Sequence, residues 1–277
     1  MNHFEDKVAI VTGGASGIGR ALCEELGQKG AAGIVVADID AEGAERVASA
    51  IAAGDSPARA AHVDVSRAED VQRLVDETVS EHGRLDFMFN NAGVTICGEV
   101  RDMEIAHWRR MLDVNLWGAI HGTTAAYRVM VRQGSGHIVN TASLDGLMPM
   151  PMATPYTAAK HAVVGLSSAL RLEAAELGVK VSVACPGAVR TGVFDAAAYV
   201  GIKREDAIAE VLSGFKMMDA ADCARAILRG VERNRGIILD GAAHNRLFWW
   251  LHRLSPPLYG TLMREGAREI RKHRIEA

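Results

Sequence analysis

Short runs of β-branched and apolar residues recur along the chain and alternate with longer stretches whose apolar positions repeat every three or four residues. The short runs predict strands, and the longer stretches predict amphipathic helices. Because the two kinds of element alternate, we predict an α/β fold with one doubly wound parallel sheet and helices on both faces. The predicted strands are 7–12, 33–37, 59–63, 85–90, 136–142, 179–184 and 236–239, and the long helices lie near 104–132 and 155–177.

Length and composition fit a single domain. A chain of 277 residues, 49% of them hydrophobic, can bury one substantial core. The net charge of −3 gives no reason to expect a nucleic-acid partner, and no spacing typical of a metal site links the histidines or cysteines. No stretch approaches the roughly 20 apolar residues of a membrane span. The first six residues show no signal-peptide pattern, and the four cysteines are typical of reduced thiols, so we expect a cytoplasmic protein.

A glycine cluster follows the first predicted strand and precedes a helical stretch over residues 20–29. Glycines let the backbone turn sharply and approach a pyrophosphate, while a helix N-terminus offers free N–H groups. We interpret this loop as a dinucleotide-binding site; the alternative is a plain tight turn between a strand and a helix. The loop residues concerned are Gly13, Ser16, Gly17, Ile18 and Gly19.

The second predicted strand is followed by Asp38, whose carboxylate can bind the ribose hydroxyls of an adenosine and repel a 2′-phosphate. No Arg or Lys stands in the loop before Gly19 or directly after Asp38. The sequence therefore favours NAD over NADP. Alternatively, Asp38 is the N-cap of a helix that begins near Ala41, although Asp40 could fill that role instead.

Ser143, Tyr156 and Lys160 form a candidate catalytic set. Tyr156 and Lys160 are one helical turn apart, so the ammonium can stabilise a phenolate and bring the tyrosine pKa down from about 10. The Ser143 hydroxyl can then hold a substrate oxygen while the phenol exchanges a proton with it. Taken singly, each residue has an ordinary explanation: a half-buried tyrosine, a solvated lysine and a turn serine.

With these residues in view, the chain resembles the compact branch of the short-chain dehydrogenase/reductase family over about residues 5–241. The resemblance implies a single-domain, Rossmann-like fold for residues 1–241 that binds NAD and carries the catalytic groups. Residues 242–277 form an extension beyond the usual end of such chains. The matching motifs are Thr12-Gly13-x-x-x-Gly17-x-Gly19, Asp64-Val65, Asn90-Asn91-Ala92-Gly93, Asn115, Ser143, Tyr156-x-x-x-Lys160 and Pro186-Gly187 followed by Thr191.

The resemblance also implies roles for these residues. Lys160 would bind the nicotinamide ribose, and Asn115, the fourth catalytic residue, would hold a water that links Lys160 to solvent. Family members are mostly homotetramers or homodimers, so an oligomer is expected here. The residues implied to contact the cofactor are Gly13, Ser16, Gly17, Ile18, Gly19, Asp38, Asp64, Val65, Asn91, Ala92, Gly93, Tyr156, Lys160, Pro186, Gly187, Val189 and Thr191.

The positions of these motifs support the same site. The glycine loop, Asp38, Asn91, Ser143 and Pro186 each come just after a predicted strand. In an open α/β sheet, ligands bind at the carboxyl ends of the strands. We therefore expect a secondary alcohol and a ketone to be interconverted there, with hydride transfer to or from NAD and Tyr156 as the general acid/base.

The loop after the fifth predicted strand (136–142) and the segment after the sixth (179–184) are expected to determine substrate specificity. Both are rich in methionine and other apolar residues, which predicts an adaptable apolar wall, although methionines are equally common in an ordinary core. We expect a steroid, cyclic, terpenoid or lipid-like substrate. The predicted substrate contacts are Ser143, Leu144, Met150, Met152, Tyr156 and Phe194.

Residues 242–277 combine the aromatic run 247–251 with a basic, helix-like stretch over 263–274. Three interpretations stay open: an apolar lid over the substrate cleft, packing on a neighbouring subunit, or contact with a membrane surface. Glu265, Glu269 and Glu276 dilute the basic character, so peripheral membrane contact is not favoured.

Two other functions compete with the dehydrogenase. The first is a regulatory protein that binds NAD and has lost the chemistry, and the intact set of Asn115, Ser143, Tyr156 and Lys160 argues against it. The second is epimerase or dehydratase chemistry with retained NAD. Relatives that perform such chemistry are usually longer and carry a separate substrate domain, for which this chain has no room.

Overall fold

The computed structural model describes residues 3–54, 56–192, 197–205, 217–240 and 243–275. The strands are β1 (Val8–Thr12), β2 (Gly33–Asp38), β3 (Ala58–His62), β4 (Phe87–Asn90), β5 (Ile96–Gly98), β6 (Gly136–Thr141), β7 (Val179–Cys185), β8 (Val189–Arg190), β9 (Ala198–Val200), β10 (Met218–Asp219) and β11 (Ile237–Leu239). The helices are α1 (Gly17–Gln28), α2 (Ala41–Ala52), α3 (Ala68–His82), α4 (Ile105–Leu112), α5 (Gly118–Gln133), α6 (Thr154–Glu173), α7 (Ala220–Glu232), α8 (Ala243–Leu254) and α9 (Pro256–Arg271).

Seven strands form one parallel sheet in the order β3-β2-β1-β4-β6-β7-β11. The chain adds strands outward from β1 to β3, then returns to the other side of β1 with β4. This reversal puts the topological switch between β1 and β4, where a doubly wound sheet leaves a crevice at its carboxyl edge. The predicted fold class is confirmed, and the ends of the seven predicted strands differ from the observed ends by at most two residues.

The apolar runs of the central strands are continuous because both faces of the sheet are buried. Val11 and Val36 pack on the face covered by α1, α2 and α7. Ile10 and Val35, their neighbours in sequence, pack on the opposite face against α3 and α5. Alternate side chains thus enter two separate apolar layers, as expected for parallel strands between helices.

The long helix predicted over 104–132 is interrupted. Helix α4 ends at Leu112, a π-turn spans Asp113–Trp117, and α5 follows directly. Asn115 is buried at the centre of this π-turn. Such turns widen a helix locally and occur often at functional sites. The helix predicted over 155–177 is α6, which ends four residues earlier than expected.

The two C-terminal helices pack on the loop after β6. Tyr259 of α9 joins Leu144 and Met148 of that loop in an apolar cluster, which Phe248 and Leu251 of α8 also contact. The Tyr259 hydroxyl donates a hydrogen bond to the carbonyl oxygen of Pro149 at 2.8 Å. The extension therefore contacts the loop that was predicted to contribute substrate contacts. No helix in the described ranges combines the length and apolar character needed to cross a bilayer.

Tyr259 provides a test of this packing. Tyr259→Ala removes a ring that is 2% exposed, and it should lower the free energy of unfolding by about 3–5 kcal/mol. Tyr259→Phe loses only the hydrogen bond to Pro149 and should cost about 1 kcal/mol. Its neighbour Leu258 is 51% exposed, so the control Leu258→Ala should change the value by less than about 0.5 kcal/mol. Urea unfolding measures all three, and equal losses at positions 258 and 259 would contradict the packing.

Candidate active site

The glycine loop adopts a backbone that side chains would obstruct. Gly13 and Gly17 have positive φ angles of 66° and 53°, a conformation that residues with a Cβ rarely adopt. A Cβ on Gly13 would lie 2.9 Å from the Cα of Ala92, and a Cβ on Gly19 would overlap the carbonyl oxygen of Gly13. The glycines therefore allow the loop, α1 and the end of β4 to approach one another closely.

The N-terminus of α1 opens onto this loop. Ser16 is the N-cap, and its side chain makes no capping hydrogen bond within the described part of the chain. The first turn of α1 contains no acidic residue. Its free N–H groups and the positive end of its dipole thus face the loop, where they favour negative charge. Ile18 packs against the core beneath, and the arrangement fits a pyrophosphate.

Asp38 and Asp40 have separate tasks. The Asp38 carboxylate accepts hydrogen bonds from the backbone N–H groups of Ala15, at 2.9 Å, and Asp40, at 3.0 Å. Asp40 is the N-cap of α2 and accepts a hydrogen bond from the N–H of Gly43 at 2.9 Å. The alternative interpretation of Asp38 as a helix cap is therefore wrong. Its carboxylate is fixed beside the glycine loop, where a ribose would lie.

Thr12 joins the glycine loop to the end of β4. Its hydroxyl oxygen accepts hydrogen bonds from the N–H groups of Asn91 and Ala92, at 3.0 and 3.1 Å. The side-chain amide of Asn91 donates to the carbonyl oxygen of Thr12 at 3.1 Å. Asn91 therefore positions the loop through its side chain. Thr12 is a positioning residue that the sequence showed only as the first letter of a motif.

Asp64 and Val65 lie after β3, next to the strand that carries Asp38. Asp64 accepts hydrogen bonds from the N–H and the hydroxyl of Ser66, at 3.0 and 2.7 Å. Val65 is buried against Gly118, where a Cβ would lie 2.8 Å from its Cγ2. The structure thus places both residues at the carboxyl edge of the sheet and shows what holds them there.

Asn115, Gly93 and Lys160 converge at the end of β4. Both ends of the Asn115 amide bond to the backbone of Val94, which donates to Oδ1 at 3.1 Å and accepts from Nδ2 at 2.9 Å. A Cβ on Gly93 would lie 2.7 Å from Asn115 Oδ1 and 3.7 Å from Lys160 Nζ. The Asn115 amide therefore shapes the chain at Val94, and Gly93 leaves room for Lys160 beside it.

Ser143, Tyr156 and Lys160 come together as predicted. Ser143 follows β6, and its Oγ accepts a hydrogen bond from the N–H of Asp145 at 3.1 Å. Lys160 is 3% exposed. Its ammonium donates to the carbonyl oxygen of Thr141 at 2.9 Å and lies 5.5 Å from the centre of the Tyr156 ring. The Ser143 side chain also acts on the Tyr156 hydroxyl and lowers its pKa.

The electrostatics of this set differ from the expectation. Burial raises the pKa of Tyr156 above its usual value, and the charge of Asp145 raises it further, while the Ser143 side chain opposes both. Burial also lowers the pKa of Lys160 to about 8. Desolvation of the phenolate is the largest cause of the shift at Tyr156, and that Lys160 brings the tyrosine pKa down stays a prediction. At neutral pH the phenol is protonated.

The segment after β7 is anchored from the C-terminal side. The N–H of Gly187 donates to Asp240 Oδ2 at 2.7 Å, and the buried amide of Asn245 donates to both oxygens of the same carboxylate. Pro186 accepts a hydrogen bond from the N–H of Leu144 at 2.9 Å. Asp240 and Asn245 are positioning residues that the sequence reasoning missed, since nothing local marks a contact over 53 residues.

Two further predicted cofactor residues lie along the same segment. Val189 is buried in β8. Thr191 lies close to Gly17: a Cβ added to Gly17 would lie 3.1 Å from the Cβ of Thr191. The glycine loop and the segment after β7 therefore face each other across the carboxyl edge. This pairing agrees with one extended site for a dinucleotide.

The predicted substrate residues divide into different environments. Leu144 is 5% exposed and packs in the cluster around Tyr259, so its side chain contributes to packing. Met150 and Met152 are half-buried. Met152 borders a cavity of about 190 Å³, together with Pro151, Gly98, Glu99 and Arg271 among others. Phe194 lies outside the described residues.

Asp145 is a polar neighbour that the sequence reasoning passed over. It stands two residues after Ser143 and is the only charged residue between 143 and 152. Burial raises the pKa of its carboxyl to about 6, and the Ser143 side chain, His161 and Lys160 oppose this shift. An acidic residue in an otherwise apolar loop was the sequence feature that could have identified Asp145 as part of the site.

The thiols near this site are protonated. Burial raises the pKa of Cys97 to about 11 and that of Cys185 to about 12. All four cysteines are free. Within the ranges that the structure describes, no three His, Cys, Asp or Glu side chains are arranged to hold a metal ion.

Several known proteins are similar to this chain in sequence. The sequence model of a family described as short chain dehydrogenase matches residues 7–198. Cyclohexanol dehydrogenase of an Acinetobacter sp. is 39% identical over 193 residues, which cover 69% of this chain and 76% of the relative. The 2,5-dichloro-2,5-cyclohexadiene-1,4-diol dehydrogenase of Sphingobium indicum is 38% identical over 199 residues, or 71% of this chain and 78% of the relative.

A solved structure gives the same result. The crystal structure of a short chain dehydrogenase/reductase from Burkholderia phymatum in complex with NAD matches with a TM-score of 0.81. It is 32% identical, and the match covers 92% of this chain and 96% of that one.

Gly19 offers a test of the dinucleotide site. Gly19→Ala should weaken NADH binding at least about tenfold, because the new Cβ overlaps the Gly13 carbonyl and deforms the loop. The control is Gly165→Ala, at an exposed position of α6 with nothing within 4 Å of the new Cβ. It should leave binding unchanged and raise the free energy of unfolding by about 0.5–1 kcal/mol. Fluorescence titration with NADH measures the affinity, and an unaltered affinity in Gly19→Ala would argue against the site.

Proposed function

This chain belongs to the short-chain dehydrogenase family and is therefore an oxidoreductase, and from that premise we propose that it interconverts a hydrophobic secondary alcohol and a ketone with NAD. Tyr156 is the general acid/base of this proposal. The main support for the proposal is that Ser143, Tyr156 and Lys160 lie together at the carboxyl edge of the sheet, facing the end of β4.

The proton is exchanged at the hydroxyl of Tyr156. In ketone reduction the neutral phenol donates its proton to the substrate oxygen as negative charge develops there; in alcohol oxidation the phenolate takes that proton back. The raised pKa of Tyr156 favours the protonated form, which suits reduction. The Ser143 hydroxyl donates to the substrate oxygen and orients it. A nicotinamide bound at this edge supplies or accepts the hydride.

Lys160 and Asn115 support this exchange in different ways. With a pKa of about 8, Lys160 remains mainly protonated at neutral pH and can donate to a ribose hydroxyl. Its bond to the carbonyl of Thr141 fixes the direction of the ammonium. Asn115 acts as a positioning residue, since its amide holds Val94 and so shapes the chain next to Lys160.

NAD is proposed as the cofactor in preference to NADP. Each oxygen of the Asp38 carboxylate accepts one backbone N–H, which aims the group at the ribose position and leaves acceptor capacity for ribose hydroxyls. A 2′-phosphate there would meet like charge. The structural relative from Burkholderia phymatum was solved with NAD.

The substrate is proposed to be apolar and cyclic, with steroid, terpenoid and lipid-like alcohols in the same class. Met150 and Met152 belong to the loop that follows the catalytic serine. Their flexible thioether side chains can adapt to apolar substrates of different shapes. The names of two relatives refer to cyclohexanol and a cyclohexadiene diol. Helices α8 and α9 are proposed to cover the substrate side as a lid, because Tyr259 docks on the same loop.

A homotetramer or homodimer is proposed as the assembly. Large apolar side chains are exposed on α6, just after it and in the turn before α5: Leu172, Leu177 and Trp117. These helices follow β6 and β4, and solvent-exposed aromatic and aliphatic side chains of this size favour a protein interface.

A substrate screen tests the reaction class. Cyclic, steroid and short-chain secondary alcohols, and the matching ketones, are assayed by the absorbance of the reduced nicotinamide with NAD and with NADP. Turnover of cyclic substrates with NAD is the expected result. Binding of NADH without turnover of any substrate would favour a non-catalytic regulatory protein of the same fold.

Tyr156→Phe should lower turnover by at least about 100-fold, because the ring remains while the exchangeable proton is lost. The affinity for NADH should change little. Tyr127→Phe is the matched control, since it removes a phenol on α5 away from the site, and it should keep near-normal turnover. Steady-state kinetics and NADH titration give both values. Substantial activity in Tyr156→Phe would falsify the assigned role.

Asp38→Ala should weaken NAD binding and improve the relative use of NADP, since it removes both the ribose acceptor and the charge that repels a 2′-phosphate. The control is Asp40→Ala, which removes the cap of α2 and should cost about 1 kcal/mol of stability without changing cofactor preference. The ratio of kcat/KM for NAD and NADP is the readout. The ribose contact is refuted if this ratio stays the same in Asp38→Ala.

A further inference from the structure

Four arginines surround one pocket beside the last strand of the sheet. The pocket has a volume of about 190 Å³ and is formed by the end of α7, the end of β11 and the start of α8. Its described lining contains no acidic residue and none of the residues predicted to contact cofactor or substrate. The pocket is therefore separate from the candidate active site. The arginines that line it are Arg229, Arg233, Arg235 and Arg246.

No carboxylate in the described ranges neutralises these four side chains. All four are exposed, and none takes part in an ion pair there. Arg225 of the same helix α7 differs, because it pairs with Glu25 at 2.8 Å and with Asp222 at 2.6 Å. Helix α7 thus carries a paired arginine near its start and unpaired arginines at its end.

The acidic residues nearest in sequence are engaged with other groups. Apart from Asp222, residues 222–246 contain only Glu232 and Asp240 as acids. The Glu232 carboxylate pairs with Lys29 at 3.4 Å. The Asp240 carboxylate accepts hydrogen bonds from the chain after β7 and from the start of α8. The pocket therefore concentrates like charges that repel one another, and an anion would relieve this repulsion.

The position of Arg246 strengthens this argument. Arg229 lies in the last turn of α7 and Arg233 is its C-cap, and the negative end of a helix dipole favours cations there. Arg246 lies instead in the first turn of α8, which begins at Ala243 and has no acidic residue in that turn. The positive end of a helix disfavours a cation. The helix dipoles thus explain the arginines of α7 but not the one that α8 adds to the same pocket.

We propose that this pocket binds a compact oligophosphate with two or three phosphate groups. Guanidinium groups form paired, charge-assisted hydrogen bonds with phosphate oxygens. Four positive charges match an anion that carries several negative charges better than one that carries two. The volume of about 190 Å³ lies below the roughly 300–1,000 Å³ of pockets for larger organic ligands, so the anionic group itself fills the pocket.

This site goes beyond the proposed dehydrogenase reaction and does not depend on it. Two sources share the chemistry that the pocket recognises. One is a free oligophosphate, including the phosphate chain of a nucleotide, and the other is the headgroup of a lipid that carries several phosphates. Both present clustered phosphate oxygens to the same guanidinium groups, so one set of variants tests both.

Calorimetric titration of inorganic triphosphate into the full chain saturated with NADH tests the inference. NADH occupies the glycine loop, so the triphosphate is not measured there. We expect one triphosphate per chain with a Kd of about 10–100 µM, weakening severalfold as NaCl is raised from about 50 to about 200 mM. Sulfate should bind at least about tenfold more weakly. Equal affinity for sulfate and triphosphate would overturn the assignment to an oligophosphate.

Paired variants locate the binding. Arg229→Gln combined with Arg233→Gln should weaken triphosphate binding at least about tenfold, and Arg246→Gln alone should weaken it by about tenfold. The matched control combines Arg128→Gln with Arg132→Gln, which removes two exposed arginines of the same spacing from α5. It should leave the affinity unchanged. Equal losses in the control and in the pocket variants would show an effect of net charge alone and contradict the site.

Flotation with lipid vesicles distinguishes the two sources. Vesicles of phosphatidylcholine alone are compared with vesicles that also contain phosphatidylinositol bisphosphate. Triphosphate binding without vesicle capture supports a free oligophosphate as the ligand. Triphosphate binding together with capture by the bisphosphate vesicles, lost in Arg246→Gln, supports the lipid headgroup. Absence of triphosphate binding to the wild-type chain overturns the inference, and it leaves the proposed dehydrogenase reaction untouched.

Discussion

The candidate catalytic groups keep their relative positions because a buried chain of side-chain hydrogen bonds joins the elements that carry them. Asn90 at the end of β4 donates to Asn140 of β6 at 2.8 Å, and Asn140 donates to Ser167 of α6 at 3.0 Å. Thr123 of α5 donates to the same oxygen of Asn140 at 3.2 Å. In a low-dielectric core an unmade bond of this kind is costly. These bonds therefore fix β4, β6, α5 and α6 relative to one another beneath the site.

A second group of hydrogen bonds connects the segment after β7 to the C-terminal helices. The carboxylate of Asp240 accepts hydrogen bonds from the N–H of Gly187 and the amide of Asn245, so one group fixes both the chain after β7 and the start of α8. Helix α8 continues into α9, whose Tyr259 holds the substrate loop at Pro149. The two sides of the site are therefore connected through Asp240, Asn245 and Tyr259, and the described part of the C-terminal extension belongs to the same packing.

The features of the fold that depend on local sequence patterns could be predicted from the sequence. Uninterrupted apolar runs gave the seven strands because both sheet faces are buried, and motif spacing located the glycine loop and the set around Tyr156. Other features depend on contacts between distant residues. The π-turn at Asn115 interrupts a helical pattern that looked continuous, and the burial of Leu144 depends on α8 and α9. The direction of the Tyr156 pKa shift follows from desolvation, which no spacing of residues reveals.

Desolvation also determines the pKa values of the charged groups around Tyr156. Burial lowers the pKa of Lys160 to about 8 and raises that of Asp145 to about 6, while the attraction between the two charges opposes both shifts. Each group therefore titrates near neutrality, where a modest change in surroundings alters its charge at little cost. The charge of Asp145 also raises the pKa of Tyr156, in the same direction as burial does. The acidity of the phenol therefore depends on whether this one nearby carboxyl group is charged.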